Sequence, residues 1–107
     1  MGRIYQKHGV FLVIELTVKI FFSFGNGIAE NENIVVKAPE KITLLKALKE
    51  LIKKYPDLEG EILTDSDQLR RFIQIRINQT SANQYDGLKT ELKDGDNLLI
   101  LPKLGGG

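Results

Sequence analysis

The sequence predicts an α+β domain in which one main helix packs on one face of a mixed β-sheet. Three observations carry that prediction. The run VFLVIELTVKIFFSF, Val10 to Phe24, alternates in polarity at period two. One segment, Thr43 to Tyr55, repeats its apolar residues at helical spacing. An alternating segment and a short apolar run follow it, each bounded by turn residues.

In the first strand Val10, Leu12, Ile14, Leu16, Val18, Ile20, Phe22 and Phe24 share one side, while Thr17, Lys19, Phe21 and Ser23 share the other. Successive strand side chains point to opposite faces, so this is a strand with one buried face. Gly25, Asn26 and Gly27 then supply turn chemistry. NIVVKA, Asn33 to Ala38, is the second strand, ended by Pro39. The helix starts at Thr43, a good N-cap, and buries Leu44, Leu45, Ala47, Leu48, Leu51, Ile52 and Tyr55. Lys46, Lys49, Glu50, Lys53 and Lys54 line its solvated face; the last two suit the negative end of the helix dipole, and Pro56 stops the helix. FIQIRINQ alternates again, with Ile73, Ile75 and Ile77 inward, Gln74, Arg76 and Asn78 outward, and the side of Phe72 left open. Turns at Asp86-Gly87 and Asp94-Gly95-Asp96 precede the last strand, Asn97 to Leu101. In that strand parity alone leaves open whether Leu98 and Ile100 or Leu99 and Leu101 are buried.

With 107 residues the chain has room for one domain and one modest core. Fifteen Lys and Arg against fourteen Asp and Glu give a net charge of +1, so bulk charge offers no argument for nucleic acid or an anionic membrane. There is no cysteine, which removes disulfides, thiolate metal sites and a cysteine nucleophile and fits a cytoplasmic location. His8 is the only histidine, which argues against a Ser/His/Asp triad or a histidine zinc site; near the N-terminus it reads as a solvated residue. The Val10–Phe24 run is too short to span a bilayer and carries Glu15 and Lys19, and no small-residue cleavage site follows it. Gln6 stands where myristoylation after Gly2 wants Ser or Thr. The sequon NQT (Asn78–Thr80), the loop carboxylates of DSD (Asp65–Asp67) and the short LRR (Leu69–Arg71) all read as ordinary turn and surface chemistry, with no metal site among them.

The C-terminus is harder to explain as packing. LPKLGGG ends in three glycines, which have no side chains to bury and lose the most conformational freedom on ordering. Glycines do let a backbone pass a narrow channel, and at 3.3–3.6 Å per residue the stretch Lys103 to Gly107 reaches at most roughly 17 Å. Pro102 fixes its own φ and stiffens the exit from the last strand.

The element order, RINQT after the helix, GLKTELKDGD before the last strand and the terminal diglycine resemble the ubiquitin-like β-grasp sulfur carriers of the MoaD/ThiS type. That group includes the small subunit of molybdopterin synthase and the small archaeal modifier proteins. The resemblance covers Leu16 to Gly107 and implies a β-grasp domain over residues 16–101, followed by a flexible tail over 102–107. The family typically ends Phe-Pro-Pro-Val-Ala-Gly-Gly; aligned from the end, its diglycine falls on Gly106-Gly107. Lys103 replaces the second proline and Leu101 the aromatic, departures that bear on partner identity. Residues 1–15 have no counterpart. They continue strand 1, cover the Phe21 face, pair with another copy or precede a later start.

What the resemblance implies is a carrier rather than an enzyme. The Gly107 carboxylate would be adenylated by a ubiquitin-activating-type enzyme that uses ATP, then converted to a thiocarboxylate for molybdenum cofactor biosynthesis, with the large subunit of molybdopterin synthase as partner. The carrier itself would hold no permanent cofactor. The alternatives are a ubiquitin-like modifier joined to lysines of target proteins through the same glycine, and an inert interaction module. Partner contacts are expected from Gly106, Gly105, Leu104, Lys103, Pro102, Leu101, Leu99 and Phe21. The alignment of Leu101 with the family's partner-facing aromatic turns Leu99 and Leu101 outward beside Phe21.

Overall fold

The computed structural model describes residues 12–21 and 33–103. Five strands form one sheet: β1 (Val13–Ile20), β2 (Asn33–Pro39), β3 (Ile73–Ile77), β4 (Thr80–Ser81) and β5 (Asn97–Pro102), in spatial order β2-β1-β5-β3-β4. β1 pairs antiparallel with β2 and parallel with β5; β3 pairs antiparallel with both β5 and β4. One helix, α1 (Leu44–Lys54), covers one face, with short 3₁₀ turns at Pro56–Leu58, Ala82–Gln84 and Gly87–Lys89. This is the ubiquitin-like β-grasp arrangement expected from the element order.

The period-two reading holds from Ile14 to Ile20. Ile14, Leu16, Val18 and Ile20 of β1 and Ile34, Val36 and Ala38 of β2 are buried under the helix. Leu12, before the strand, is only partly buried. Val10, Phe22, Phe24 and the Gly25–Gly27 turn lie outside the described residues. β1 begins at Val13, and Val13, Ile14 and Glu15 pair with Pro39, Ala38 and Lys37. The ladder thus takes in three residues of the stretch expected as an extension. Pro39 closes β2 at the edge of the sheet, where a residue without an N–H costs no ladder bond.

α1 presents Leu44, Ala47, Leu48 and Leu51 to the sheet. The Thr43 hydroxyl caps its start by accepting from the Lys46 N–H at 3.3 Å, and Lys53 and Lys54 occupy the last turn. Each fully buried leucine contributes about 1.5–3 kcal/mol of transfer free energy relative to exposure. The connecting segments close the ends of the core with Leu58, Ile62, Leu63 and Leu92, all buried.

Two turns join the strands. Asn78 and Gln79, at φ 51° and 76°, form the two-residue β3–β4 connection, which requires positive φ at both positions. Asn78 earns its place twice. Its Nδ2 donates to Asp96 at 2.9 Å and its Oδ1 accepts from the Asn97 N–H at 2.9 Å, so the sequon asparagine is a turn brace. In the Asp65–Asp67 loop, Asp67 sits at φ 59° and pairs with Lys49 at 2.8 Å, while the Thr64 hydroxyl accepts from the Ser66 and Gln68 N–H groups. Arg70 is likewise structural, its Nε donating to the Gly60 carbonyl at 2.9 Å.

Candidate functional site

β5, the last strand before the C-terminal glycines in the sequence, lies between β1 and β3. Leu98 and Ile100 of this strand are buried at 1% and 0% exposure, which turns Leu99 and Leu101 to the face away from α1. The register then fixes their neighbours. Leu99 stands between Lys19 on β1 and Arg76 on β3, and Leu101 stands opposite Gln74. Phe21 follows β1 on the same face and donates its N–H to the Ile100 carbonyl at 2.9 Å. Phe21, Leu99 and Leu101 are each partly exposed, so the structure brings together the three outward apolar residues expected from the sequence.

A fourth residue joins them. Phe72 directly precedes inward-facing Ile73 and is 59% exposed. Its carbonyl accepts the Lys103 N–H at 2.7 Å, which fastens the start of the C-terminal stretch beside the ring. The signal for Phe72 was the alternation itself: if Ile73 faces inward, its neighbour faces outward. An exposed aromatic on the same face as partly exposed leucines has the composition of a candidate protein-contact surface. On the same face a depression of about 290 Å³ is lined by Leu99 together with Lys19, Thr17, Asn33, Asn78 and Asn97. The patch therefore has an apolar centre with cationic and amide neighbours.

The strand that carries the patch is anchored at its start by the Asp94-Gly95-Asp96 turn. Gly95, at φ +87°, permits that turn and donates its N–H to the Glu15 carbonyl at 2.9 Å. The Asp94 carboxylate accepts the Glu15 N–H at 2.8 Å, and the Asp96 carbonyl accepts the Thr17 N–H at 3.0 Å. The turn thus continues the parallel β1–β5 ladder beyond the first residue of β5, using one side chain as a substitute for backbone. The other oxygens of Asp96 accept from Lys93 N–H at 2.8 Å and from Asn78, which ties in the β3–β4 turn.

Of the expected partner residues, Phe21, Leu99, Leu101, Pro102 and Lys103 are placed; Leu104, Gly105, Gly106 and Gly107 lie outside the described residues. Pro102 and Lys103 are exposed. Among the described residues no group of three or more His, Asp or Glu is placed to hold a metal ion, and no helix is long and apolar enough to cross a membrane.

Comparison with known proteins follows the same lines. The ThiS family matches residues 26–107. Small archaeal modifier protein 3 of Haloferax volcanii is 24% identical over 94 residues, which span 88% of this chain and 100% of that protein. Sulfur carrier protein CysO of Mycobacterium tuberculosis is 31% identical over 67 residues, 61% of this chain and 72% of its own. The solution structure of small archaeal modifier protein 1 from Methanosarcina acetivorans superposes with a TM-score of 0.69 at 29% identity, over 89% of this chain and 98% of that one.

Proposed function

The chain belongs to the ThiS family, within the MoaD/ThiS-like superfamily of small ubiquitin-fold carriers, and from that premise we propose that it is a ubiquitin-like protein modifier acting through Gly107. The observation that supports this reading is the correspondence with a small archaeal modifier along that relative's whole length, where the match to the sulfur carrier CysO spans 61% of the chain. The sequence alone favoured sulfur transfer in molybdenum cofactor biosynthesis; the full-length modifier relative moves the weight to conjugation.

The chemistry needs little from this chain beyond a reachable carboxylate. A carboxylate is a poor electrophile until it acquires a leaving group. In the activating enzyme a Gly107 carboxylate oxygen attacks the α-phosphorus of ATP, pyrophosphate leaves, and an acyl-adenylate forms. A lysine amine of a target protein then attacks the acyl carbon; AMP departs, a proton is lost from the amine, and an isopeptide bond remains. Leu99, Leu101, Phe21 and Phe72 supply the docking surface, with Pro102 limiting the directions the tail takes and Lys103 to Gly106 lying in the enzyme's channel.

A second reading keeps the same adenylate but hands it to a sulfur donor, which yields a Gly107 thiocarboxylate. The 31% identity to CysO favours it, with a synthase subunit of the molybdopterin type as one acceptor. The experiment for both is incubation of the full chain with ATP and the host's activating enzyme, followed by mass spectrometry and by immunoblots of host lysate. Conjugation predicts an acyl-adenylate and a ladder of higher bands that disappears when Gly107 is deleted. A thiocarboxylate mass with one free band supports sulfur transfer instead, and no adenylate at all overturns both.

A further inference from the structure

The charge of this nearly neutral chain is unevenly placed. Between Val35 and Tyr55 it carries Lys37, Lys41, Lys46, Lys49, Lys53 and Lys54 against only Glu40 and Glu50. That is a formal +4 in a chain of net +1, which leaves −3 for the rest. The residues concerned are β2 and α1, and β2 is the edge of the sheet.

The backbone direction of β2 follows from its pairing. The Glu40 N–H bonds to the Leu12 carbonyl at 3.0 Å, and hydrogen-bonded pairs in an antiparallel ladder recur at every second residue. Ile34, Val36 and Ala38 therefore bond to β1, whereas Asn33, Val35 and Lys37 direct their amide groups to the edge. The Val35 carbonyl does point there, because it accepts the Lys54 Nζ from α1 at 3.1 Å. Among the described residues β2 pairs on one side only. Toward Pro39, beside the β2–α1 connection, lies a depression of about 490 Å³ lined by Lys37, Lys41, Lys46 and Lys49 against Glu40 and Glu50, so its lining keeps an excess of positive charge. Lys49 pairs with Asp67 and Lys37 approaches Glu15 at 4.0 Å; Lys41 and Lys46 make no ion pair among the described residues.

We propose that this edge binds an extended acidic segment of a partner protein by strand addition, forming a second interface separate from the patch around Leu99. The partner's backbone pairs with the edge groups of Val35 and Lys37, and its carboxylates meet Lys37, Lys46 and Lys54. Lys54 gives up the Val35 carbonyl to a partner N–H and turns its ammonium to a carboxylate. Charge selects the occupant. A second copy pairing through β2 sets Lys37 and Lys54 against their own kind, so the lysines that guard the edge against self-association admit a strand of opposite sign. Nucleic acid satisfies the charge but has no strand to pair. β2 and β5 lie on opposite sides of β1, so an enzyme on the β5 patch leaves this edge open.

The test is a titration of the ¹⁵N-labelled full chain with the end-blocked peptide Glu-Glu-Val-Thr-Val-Thr-Glu-Glu, followed by amide shifts and hydrogen exchange. Saturable shifts over Asn33–Lys37, slower exchange of the Val35 and Lys37 amides, and at least tenfold weaker binding to the Lys37→Glu/Lys46→Glu variant are expected. The milder Lys37→Gln/Lys46→Gln variant, with an unchanged circular dichroism spectrum, should weaken binding in the same direction. The proposal is overturned by the absence of saturation at millimolar peptide, by equal binding of the peptide with Lys in place of Glu, or by shifts centred on Leu99 and Leu101. An oligo-dT titration that reproduces the shifts while the peptide leaves Val35 and Lys37 exchange unchanged overturns it too. Because the peptide does not involve Gly107, failure here says nothing about activation of the tail.

Discussion

Replacing Asp94 tests whether the turn before β5 holds the strand in place. The Asp94 carboxylate accepts the Glu15 N–H at 2.8 Å across a separation of 79 residues, in a partly buried position. In Asp94→Ala that N–H loses its acceptor, which costs about 1–3 kcal/mol for a buried donor. Partial access for water places the loss at about 1–2 kcal/mol. Asp94→Asn keeps an acceptor oxygen and loses only the assistance of charge, so about 0.5–1 kcal/mol is expected. Gly95→Ala probes the same turn by another route. Nothing lies within 4 Å of an added Cβ at φ +87°, so its cost is conformational alone. That is about 1–2 kcal/mol, of which about 0.4–1 returns through a stiffer unfolded chain. Urea unfolding followed by circular dichroism measures all three. With an m-value of about 2 kcal/mol/M the Asp94→Ala midpoint falls by roughly 0.5–1 M at constant m. Equal losses for Asp94→Asn and Asp94→Ala, or an Asp94→Ala variant as stable as the parent, would refute the claim that the carboxylate stands in for a strand partner.

Leu48→Ala removes a side chain with no exposed surface from the centre of α1 and should destabilise by about 2–5 kcal/mol in the same assay. Thr43→Ala deletes a helix cap whose bond is long at 3.3 Å and exposed, so a loss of about 0.5–1 kcal/mol is expected. Leu99→Glu should leave the melting temperature nearly unchanged yet reduce adenylation by the activating enzyme at least tenfold, read as kcat/KM from pyrophosphate release. Phe72→Ser should behave likewise, since that ring is 59% exposed and contributes little to folding.

Much of this architecture could be read from alternation. β1, β3 and the buried face of α1 each have a regular apolar spacing, and Thr43 and Pro56 mark the helix ends, so local pattern and tertiary packing agree. β5 is different, because Asn97 to Leu101 contains four consecutive apolar residues and its orientation depends on pairing with β1 and β3. The family alignment of Leu101 supplied what periodicity did not. Leu58, Ile62 and Leu63, before β3, and Leu92, before β5, fill the core from connections whose apolar residues follow no period, so they read as loop residues. Phe72 stands one residue before β3, so the alternation that turns it outward applies only because the Lys103 N–H continues the ladder to its carbonyl. The reach of Asp94 to Glu15 is non-local and leaves no trace in either neighbourhood. Lys54 at the Val35 carbonyl is similar: the sequence shows a solvated lysine, and the fold shows what it sits beside.

The position of β5 also sets how the domain answers to a mechanical load. The strand that leads into the C-terminal glycines is gripped on one side by β1 in parallel and on the other by β3 in antiparallel register. A motor pulling on those glycines shears two ladders at once instead of peeling one edge. A machine that tugs there must therefore disrupt the middle of the sheet before it can draw the polypeptide through.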